Sequence, residues 1–412
     1  MVDIYFAKIQ KKWKIMYIFA IKFEKTNMDF THVLTEPYTM ALTALLAVSF
    51  VVLVLYYGLY YFRVGHCRAP KSKKKEGEEE KLPPVSVVMV AQNDAEWLKN
   101  NLMYLLEQDY PKFEVVVVDY LSNDDTQYVL QLLSANYPYL KVVTFQANAS
   151  GYQGMKYPLS IGIKSASYDV LLFAEPECIP MDTTNFGWIK EMVKGYVNPK
   201  VEIVLGYCGI QYRGSLLNWL QQYDNLDYSV EYLGAALLHR PFTGNGRNLS
   251  YKRSLFLKKD GFIYHYYIPD GADDMFVNQN SNRRNTKVVL SESSFTQVAE
   301  QKGVGEWHSY RKHRSSTHRY YGFGLKLRRL LRPLNVLLFY LSAALLLVAG
   351  TFPWQIQAAV VAVKLIWQVV ATAQATHRLG IKPVIFALSP LFEIYFLISN
   401  TFLAIFPLSK KS

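Results

Sequence analysis

From Tyr38 to Phe62 the chain carries no charged side chain, and from Met40 to Leu55 it reads Met-Ala-Leu-Thr-Ala-Leu-Leu-Ala-Val-Ser-Phe-Val-Val-Leu-Val-Leu. A helix that crosses the hydrocarbon core of a bilayer needs about 20 such residues, so residues 38–62 are expected to form a transmembrane anchor. A cleaved signal peptide would have a shorter apolar core, closer to the N-terminus, with a small-residue cleavage site behind it. Three more apolar stretches, 334–352, 357–376 and 384–406, close the chain, and Lys364 makes the middle one the least regular. A region of some 270 residues between the anchor and this cluster must fold against a membrane.

Basic residues near the membrane ends set the orientation. Arg63, His66, Arg68, Lys71, Lys73, Lys74 and Lys75 follow the first span, and Lys326, Arg328, Arg329 and Arg332 precede the second. Both flanks of the central region are therefore expected in the cytoplasm. His377, Arg378 and Lys382 occupy one C-terminal loop, whereas the loop near Gly350 to Gln355 has no charge, which fits an even span count with both termini outside. The basic tail carrying Lys8, Lys11, Lys12, Lys14, Lys22 and Lys25 runs against that orientation, and a translation start at Met28 or Met40 would account for it. These clusters explain much of the net charge of +12 and attract anionic lipid head groups, so no nucleic-acid partner is needed. Cys67, Cys178 and Cys208 have neither metal nor redox spacing, and in the cytoplasm they stay reduced.

The chain thus divides into a tail (1–37), a span (38–62), a Lys- and Glu-rich linker (63–82), a cytoplasmic domain (83–333), three spans (334–406) and a short tail (407–412). The domain opens with strands alternating with helices. Val85 to Ala91 is a β-branched run of the kind buried on both faces of a sheet. Trp97, Leu98, Leu102, Leu105 and Leu106 then recur at helical spacing, and Glu114 to Asp119 repeats the strand ahead of a helix from Thr126 to Ala135. Lys141 to Phe145, Pro158 to Ser165 and Val170 to Ala174 continue as strand, helix and strand. That alternation predicts a doubly wound parallel sheet with ligands beyond the carboxyl ends of its strands. Asn93 and Asp94, Asp119, and Glu175 with Glu177 stand at those ends. Further on, Leu216, Leu217, Trp219, Leu220, Tyr223 and Leu226 recur at helical spacing, either as an interface helix at about 215–240 or as a plain core helix.

In chain order, the segments Val85-Ser86-Val87-Val88-Met89-Val90-Ala91-Gln92-Asn93-Asp94, Val118-Asp119, Leu171-Leu172-Phe173-Ala174-Glu175-Pro176-Glu177, Gly244-Asn245-Gly246-Arg247-Asn248-Leu249-Ser250-Tyr251 and Gly271-Ala272-Asp273-Asp274-Met275-Phe276 resemble inverting glycosyltransferase family 2. The resemblance covers about Pro84 to Tyr321, and the flanking spans are similar to those of membrane-anchored bacterial exopolysaccharide-synthase relatives.

It implies a nucleotide-sugar-binding, GT-A-like α/β fold with one N-terminal and about three C-terminal transmembrane helices. Ala91, Asn93, Asp94, Asp119, Lys156, Glu175 and Glu177 fall in the donor site. Glu175 and Glu177 take the slot of the family's Asp-x-Asp, whose oxygens hold a divalent cation, Mg²⁺ or Mn²⁺, against the leaving diphosphate. Each glutamate adds a methylene to a geometry that tolerates little error. Asp273 or Asp274, depending on register, matches the base that accepts the proton of the acceptor hydroxyl, the other being a candidate N-cap. Gly244, Gly246, Arg247 and Asn248 fall at the acceptor or diphosphate, where the glycines would permit close backbone approach. The family's Gln-x-x-Arg-Trp patch is altered: Tyr310 or Arg311 takes the glutamine slot, no tryptophan ends it, and Arg311, His313 and Arg314 are the candidates for diphosphate contact. A second interface segment at 319–333 carries Lys326, Arg328 and Arg329, expected to lie on anionic lipid.

The resemblance therefore implies a multi-pass enzyme of the cell (inner) membrane with its catalytic domain in the cytoplasm. It would transfer sugar from a nucleotide-diphosphate sugar to a lipid-linked or growing glycan acceptor, in contact with membrane lipids and with glycan-assembly proteins as candidate partners. The alternative is a catalytically weak or inactive relative acting in a glycan-assembly complex.

Overall fold

The computed structural model describes residues 37–67, 82–145 and 154–405. The N-terminal tail with Met28, most of the charged linker, the Gly151-Tyr152-Gln153 segment ahead of Lys156 and the 407–412 tail lie outside the described residues. Two compact units make up the described chain, residues 37–54 with 331–366, and residues 55–330 with 367–405.

Among the described residues, three helices are long and apolar enough to cross a membrane: Pro37–Gly65, Phe323–Ala349 and Trp354–Arg378. The first changes to a π-helical turn at Tyr57–Tyr61. In the smaller unit, apolar packing of Leu46, Leu53, Val336, Phe339 and Leu346 is joined by polar contacts. Asn335 Nδ2 donates to the Ser49 carbonyl at 3.1 Å, and Gln357 Nε2 to that of Ala343 at 2.6 Å. Lys364 does not interrupt its helix: it is buried, and its Nζ donates to the Tyr340 hydroxyl at 3.0 Å.

The last apolar stretch departs from expectation. It breaks at Leu388 into Val384–Ala387 and a second helix, Ser389–Ile405, and among the described residues it is not one of the three helices long and apolar enough to cross a membrane. Pro390 has no N–H with which to continue the ladder from the preceding turn. The second piece instead turns aromatic side chains onto the larger unit, where Phe392 and Phe396 lie 5.4 and 5.7 Å from the Tyr223 ring and Phe396 lies 5.9 Å from Trp307.

The larger unit holds ten strands, numbered β1 to β10 in chain order. β1 (Val85–Ala91), β2 (Phe113–Tyr120), β3 (Leu140–Phe145) and β4 (Val170–Phe173) are parallel, as the alternation predicts, with helices Ala95–Leu106, Thr126–Asn136 and Lys156–Ser165 between them. Val85, Val87, Met89, Val115 and Val117 meet Leu98, Leu102 and Leu105 on one face. Val88, Val116, Leu171 and Phe173 meet Ile163 and the helix Leu216–Leu237 on the other. Burial on both faces explains the unbroken β-branched runs.

Beyond β4 the sheet is mixed. β5 is Ile179–Pro180, β6 Ile203–Leu205, β7 Cys208–Ile210, β8 Leu249–Lys252, β9 Thr286–Val288 and β10 Thr296–Val298. The main sheet has seven strands in the order β3-β2-β1-β4-β8-β6-β9, with β8 antiparallel to both neighbours, and β5-β10-β7 form a second sheet. Inserting β8 beside β4 brings the Gly244–Asn248 turn to the end of the parallel strands.

Arg328 and Arg329 also depart from the lipid-facing expectation. Both pair with Glu231 of the helix Leu216–Leu237, at 3.6 and 3.4 Å, and the Arg328 guanidinium lies 4.5 Å from the Phe242 ring.

Candidate active site

The carboxyl ends of β1, β2 and β4 carry the polar residues that the topology requires of a site. Ala91 is in register with Asp119. Asn93 follows with φ 57°, a left-handed conformation that asparagine tolerates, and its Oδ1 accepts from the Asn123 amide at 2.8 Å. Asp94 accepts from the Gln92 amide at 2.8 Å, and burial pushes its carboxyl above the usual range. Asp119 is 2% exposed, and its Oδ1 has no hydrogen-bond partner among the described residues.

Glu175 and Glu177 leave β4 on either side of Pro176 and converge on a single cation. Arg247 Nε donates to Glu175 Oε2 at 2.6 Å, and Arg247 Nη2 pairs with Glu177 Oε1. Burial raises the Glu177 pKa and the arginine charge opposes that rise. Arg247 Nη1 donates to the Tyr310 hydroxyl at 3.2 Å, and the guanidinium lies 4.9 Å from that ring's centroid. The two glutamates thus do not present a metal site in this arrangement, because the guanidinium takes the point where their oxygens meet. No group of three or more His, Cys, Asp and Glu side chains suited to a metal occurs among the described residues.

One residue before Arg247, the Gly246 amide donates to Asp273 Oδ2 at 2.7 Å. A Cβ on Gly246 would sit 3.3 Å from that oxygen, so the close approach depends on glycine. Gly244 faces Leu249, Val277 and Leu205 and serves packing. Asp273 caps the helix Asp274–Asn280, its Oδ1 accepting from the Asp274 amide at 2.8 Å, and the residue is half-buried. Burial in the site and the neighbouring Asp274 push its pKa up to about 6. Asp274 is buried, with Oδ2 accepting from the hydroxyls of Thr317 and Tyr321, the latter at 2.9 Å. Burial raises its pKa, opposed by those donors. Gly271, at φ 87°, leaves room for Asp274, whose Oδ1 would meet an added Cβ at 2.6 Å.

The helix Val304–Ser315 supplies two further arginines. Arg314 Nη2 and Arg311 Nε pair with Asp224 at 2.8 and 3.2 Å. The Arg314 guanidinium lies 5.6 Å from the Tyr310 ring, so this tyrosine neighbours both Arg314 and Arg247. Arg247, Arg314, Tyr310, Trp307, Asp224 and Gln301 line one small pocket.

Three expected contacts lie elsewhere. Lys156 is 1% exposed, and its Nζ donates to the carbonyls of His265 and Ile268 at 2.7 and 2.8 Å, closing the 263–268 turn in place of a phosphate contact. Burial lowers its pKa to about 8. Asn248 is fully buried, donating to the carbonyls of Tyr207 and Ser294 at 2.8 Å each and accepting from Trp188 Nε1 at 3.2 Å. His313 is exposed and faces Asp270 at 3.6 Å, away from the arginine pocket.

Asp224, Thr317 and Tyr321 were not singled out by motif. For Asp224 the signal is a polar stripe, Asn218, Gln221, Gln222, Asn225 and Ser229 being buried at helical spacing alongside it; Thr317 and Tyr321 carry no such signal. A buried polar stripe needs partners, and here these include arginines.

A GT-A-like fold with acidic residues at its strand ends defines the class as glycosyltransferase. Residues 32–399 match glycosyl transferase family 21, and the chain belongs to that family, which refines the family 2 resemblance of its motifs. The poly-beta-1,6-N-acetyl-D-glucosamine synthase of Staphylococcus epidermidis is 25% identical over 163 residues, 40% of this chain and 38% of that protein. Its counterpart from Staphylococcus aureus strain COL is 23% identical over the same shares. The match thus spans little more than a third of these relatives. A mannosyltransferase from Pyrobaculum calidifontis, solved with GDP-Man and Mn²⁺, shares the fold with a TM-score of 0.52 at 18% identity, covering 87% of this chain and 98% of its own.

Proposed function

We propose that this glycosyltransferase is a membrane-embedded inverting enzyme that moves a hexose or N-acetylhexosamine from a nucleoside diphosphate to a lipid-linked or growing glycan acceptor on the cytoplasmic face. The observation that carries the proposal is the Gly244–Asn248 turn. Gly246 holds the candidate base and Arg247 holds the strand-end carboxylates, so donor and acceptor halves share one turn. The buried, unpartnered Oδ1 of Asp119 supports a nucleoside contact at the end of β2. The synthase relatives support a sugar acceptor, and the apolar helices support a membrane-borne one.

In this reading the acceptor hydroxyl gives its proton to Asp273 as its oxygen bonds to the anomeric carbon. The bond from that carbon to the donor's phosphate oxygen breaks, and the nucleoside diphosphate leaves from the opposite face. Asp273 suits the role better than Asp274, because the residue is half-buried and its Oδ2 is held by the Gly246 turn, whereas Asp274 is buried. The test is release of nucleoside diphosphate from UDP-, GDP- and dTDP-sugars by the purified full chain, with loss on Asp273→Asn. No turnover and no binding of any donor would overturn the proposal and favour the inactive relative.

A further inference from the structure

A departing diphosphate needs cationic N–H donors beside it, and this site already contains a fixed guanidinium, its charge shared with Glu175 and Glu177. Arg247 is held at its backbone by Thr296 Oγ1, which donates to its carbonyl at 2.9 Å, and by Asn245 Oδ1, which accepts from its amide at 3.2 Å. The carboxylates that would be a cation's first ligands already receive its Nε and Nη2. The longer reach of glutamate leaves room for a planar guanidinium, whose fork spans two carboxylates where a metal ion would be a point. A guanidinium has five N–H groups, so those not bonded to Glu175, Glu177 and Tyr310 stay available to incoming oxygens. Arg314 lines the same pocket, and among the described residues its Nη1 is buried without a hydrogen-bond partner. Buried donors left unpaired are costly, and an anionic ligand would satisfy them.

We propose that Arg247, seated between Glu175 and Glu177, is the cationic anchor of the donor diphosphate, and that with Arg314 it lets this enzyme bind and use its donor without a divalent cation. The inference rests on the nucleotide-sugar function proposed above. As the bond between the anomeric carbon and the phosphate oxygen breaks, the electron pair stays on the diphosphate, and its charge is met by guanidinium N–H groups. Glu175 and Glu177 orient the arginine and do not themselves touch the donor.

The test is calorimetric binding of UDP, GDP and dTDP to the full chain in detergent, in EDTA and in millimolar Mn²⁺. Affinity for the nucleotide that binds should agree between the two buffers within about threefold. Arg247→Ala should weaken binding in EDTA on the order of 30-fold, and Mn²⁺ should restore part of it, because the freed glutamate pair can then take a metal. Glu175→Gln keeps an oxygen for the Arg247 Nε–H but removes a negative charge near the diphosphate, so it should bind about threefold more tightly. If Arg247→Ala does not fold, that sign decides the matter alone. Wild-type binding that collapses in EDTA and returns with Mn²⁺, or weaker binding by Glu175→Gln, would overturn the arginine anchor and leave the nucleotide reading standing. Absence of binding in both buffers would overturn both.

Discussion

Glu175 and Glu177 share one guanidinium, whereas Asp273 and Asp274, reached through the preceding residue of the same turn, are held by amides and hydroxyls. A cation beside a carboxylate favours its ionised form and fixes its geometry. Neutral donors in a buried setting stabilise the charge less, so burial pushes the Asp273 pKa up to about 6 and leaves it a competent proton acceptor near neutrality. Burial raises Glu177 as well as Asp273, so what separates the two pairs is the guanidinium that fixes the geometry of the first. Two acidic pairs that look alike in sequence are thereby separated by partners that lie far from them along the chain.

Replacing Asp273 tests that separation with the largest expected effect. Asp273→Asn should lower kcat on the order of 10²- to 10⁴-fold with little change in KM, as expected for a lost general base, while calorimetric donor affinity stays close to wild type. Asp274→Asn should cost less, since Asp274 is buried beneath Thr317 and Tyr321. The opposite ranking would exchange the two roles.

Removing the neutral donors comes next. Tyr321→Phe takes from the buried Asp274 a hydroxyl that bonds it at 2.9 Å, and the loss should be about 1–3 kcal/mol of stability at pH 7, read by chemical denaturation. Asp273→Asn should act in the opposite direction. The native pKa of Asp273 is raised from its usual 3.8, so its ionisation destabilises the fold as pH rises from about 4 to 6, and the full penalty is present above about 6. The variant should therefore unfold at a higher temperature than wild type at pH 7 and at a similar one below pH 4. A lower midpoint at pH 7 would show that the carboxylate's cap to the Asp274 amide outweighs its burial.

The pH profile gives a finer test. With Asp273 as the base, kcat/KM should fall as pH drops through about 6, because the protonated carboxyl cannot accept the acceptor's proton. The Asp274 charge contributes to that raised value, so Asp274→Asn should move the inflection to lower pH, by up to about one unit. An inflection that stays in place would separate the two carboxyls electrostatically and undo the pair as a unit.

The first half of the sheet was legible because its strands are long, β-branched and buried on both faces, and β1 runs over the same residues, Val85–Ala91, that the pattern marks. β6 to β10 span only three or four residues each, too short for any periodicity to show, and their pairing is set by contacts distant in sequence. The family resemblance brought out Glu175, Glu177, Arg247 and Asp273, but not that Arg247 would close on both glutamates, since its reach depends on where β8 is inserted. Lys156 and Asn248 sit at motif positions and are buried in structural hydrogen bonds. The last apolar stretch has a span's composition, while its break and its aromatic face make it part of the larger unit.

The smallest expected effect falls on the turn that joins the two pairs. An added Cβ on Gly246 would stand 3.3 Å from Asp273 Oδ2 and 3.4 Å from its Cβ, so the aspartate must give way by a few tenths of an ångström. The φ of Gly246 is not among the left-handed values, so backbone strain adds nothing to this contact. A shift of one ångström at a reacting group costs about 100-fold, and a displacement this small should lower kcat by roughly fivefold. Donor affinity should hold, because Arg247 is anchored separately by Thr296 and Asn245. If Gly246→Ala instead weakens nucleotide binding as much as it slows transfer, the turn moves as one body, and the base and the arginine anchor are coupled through it.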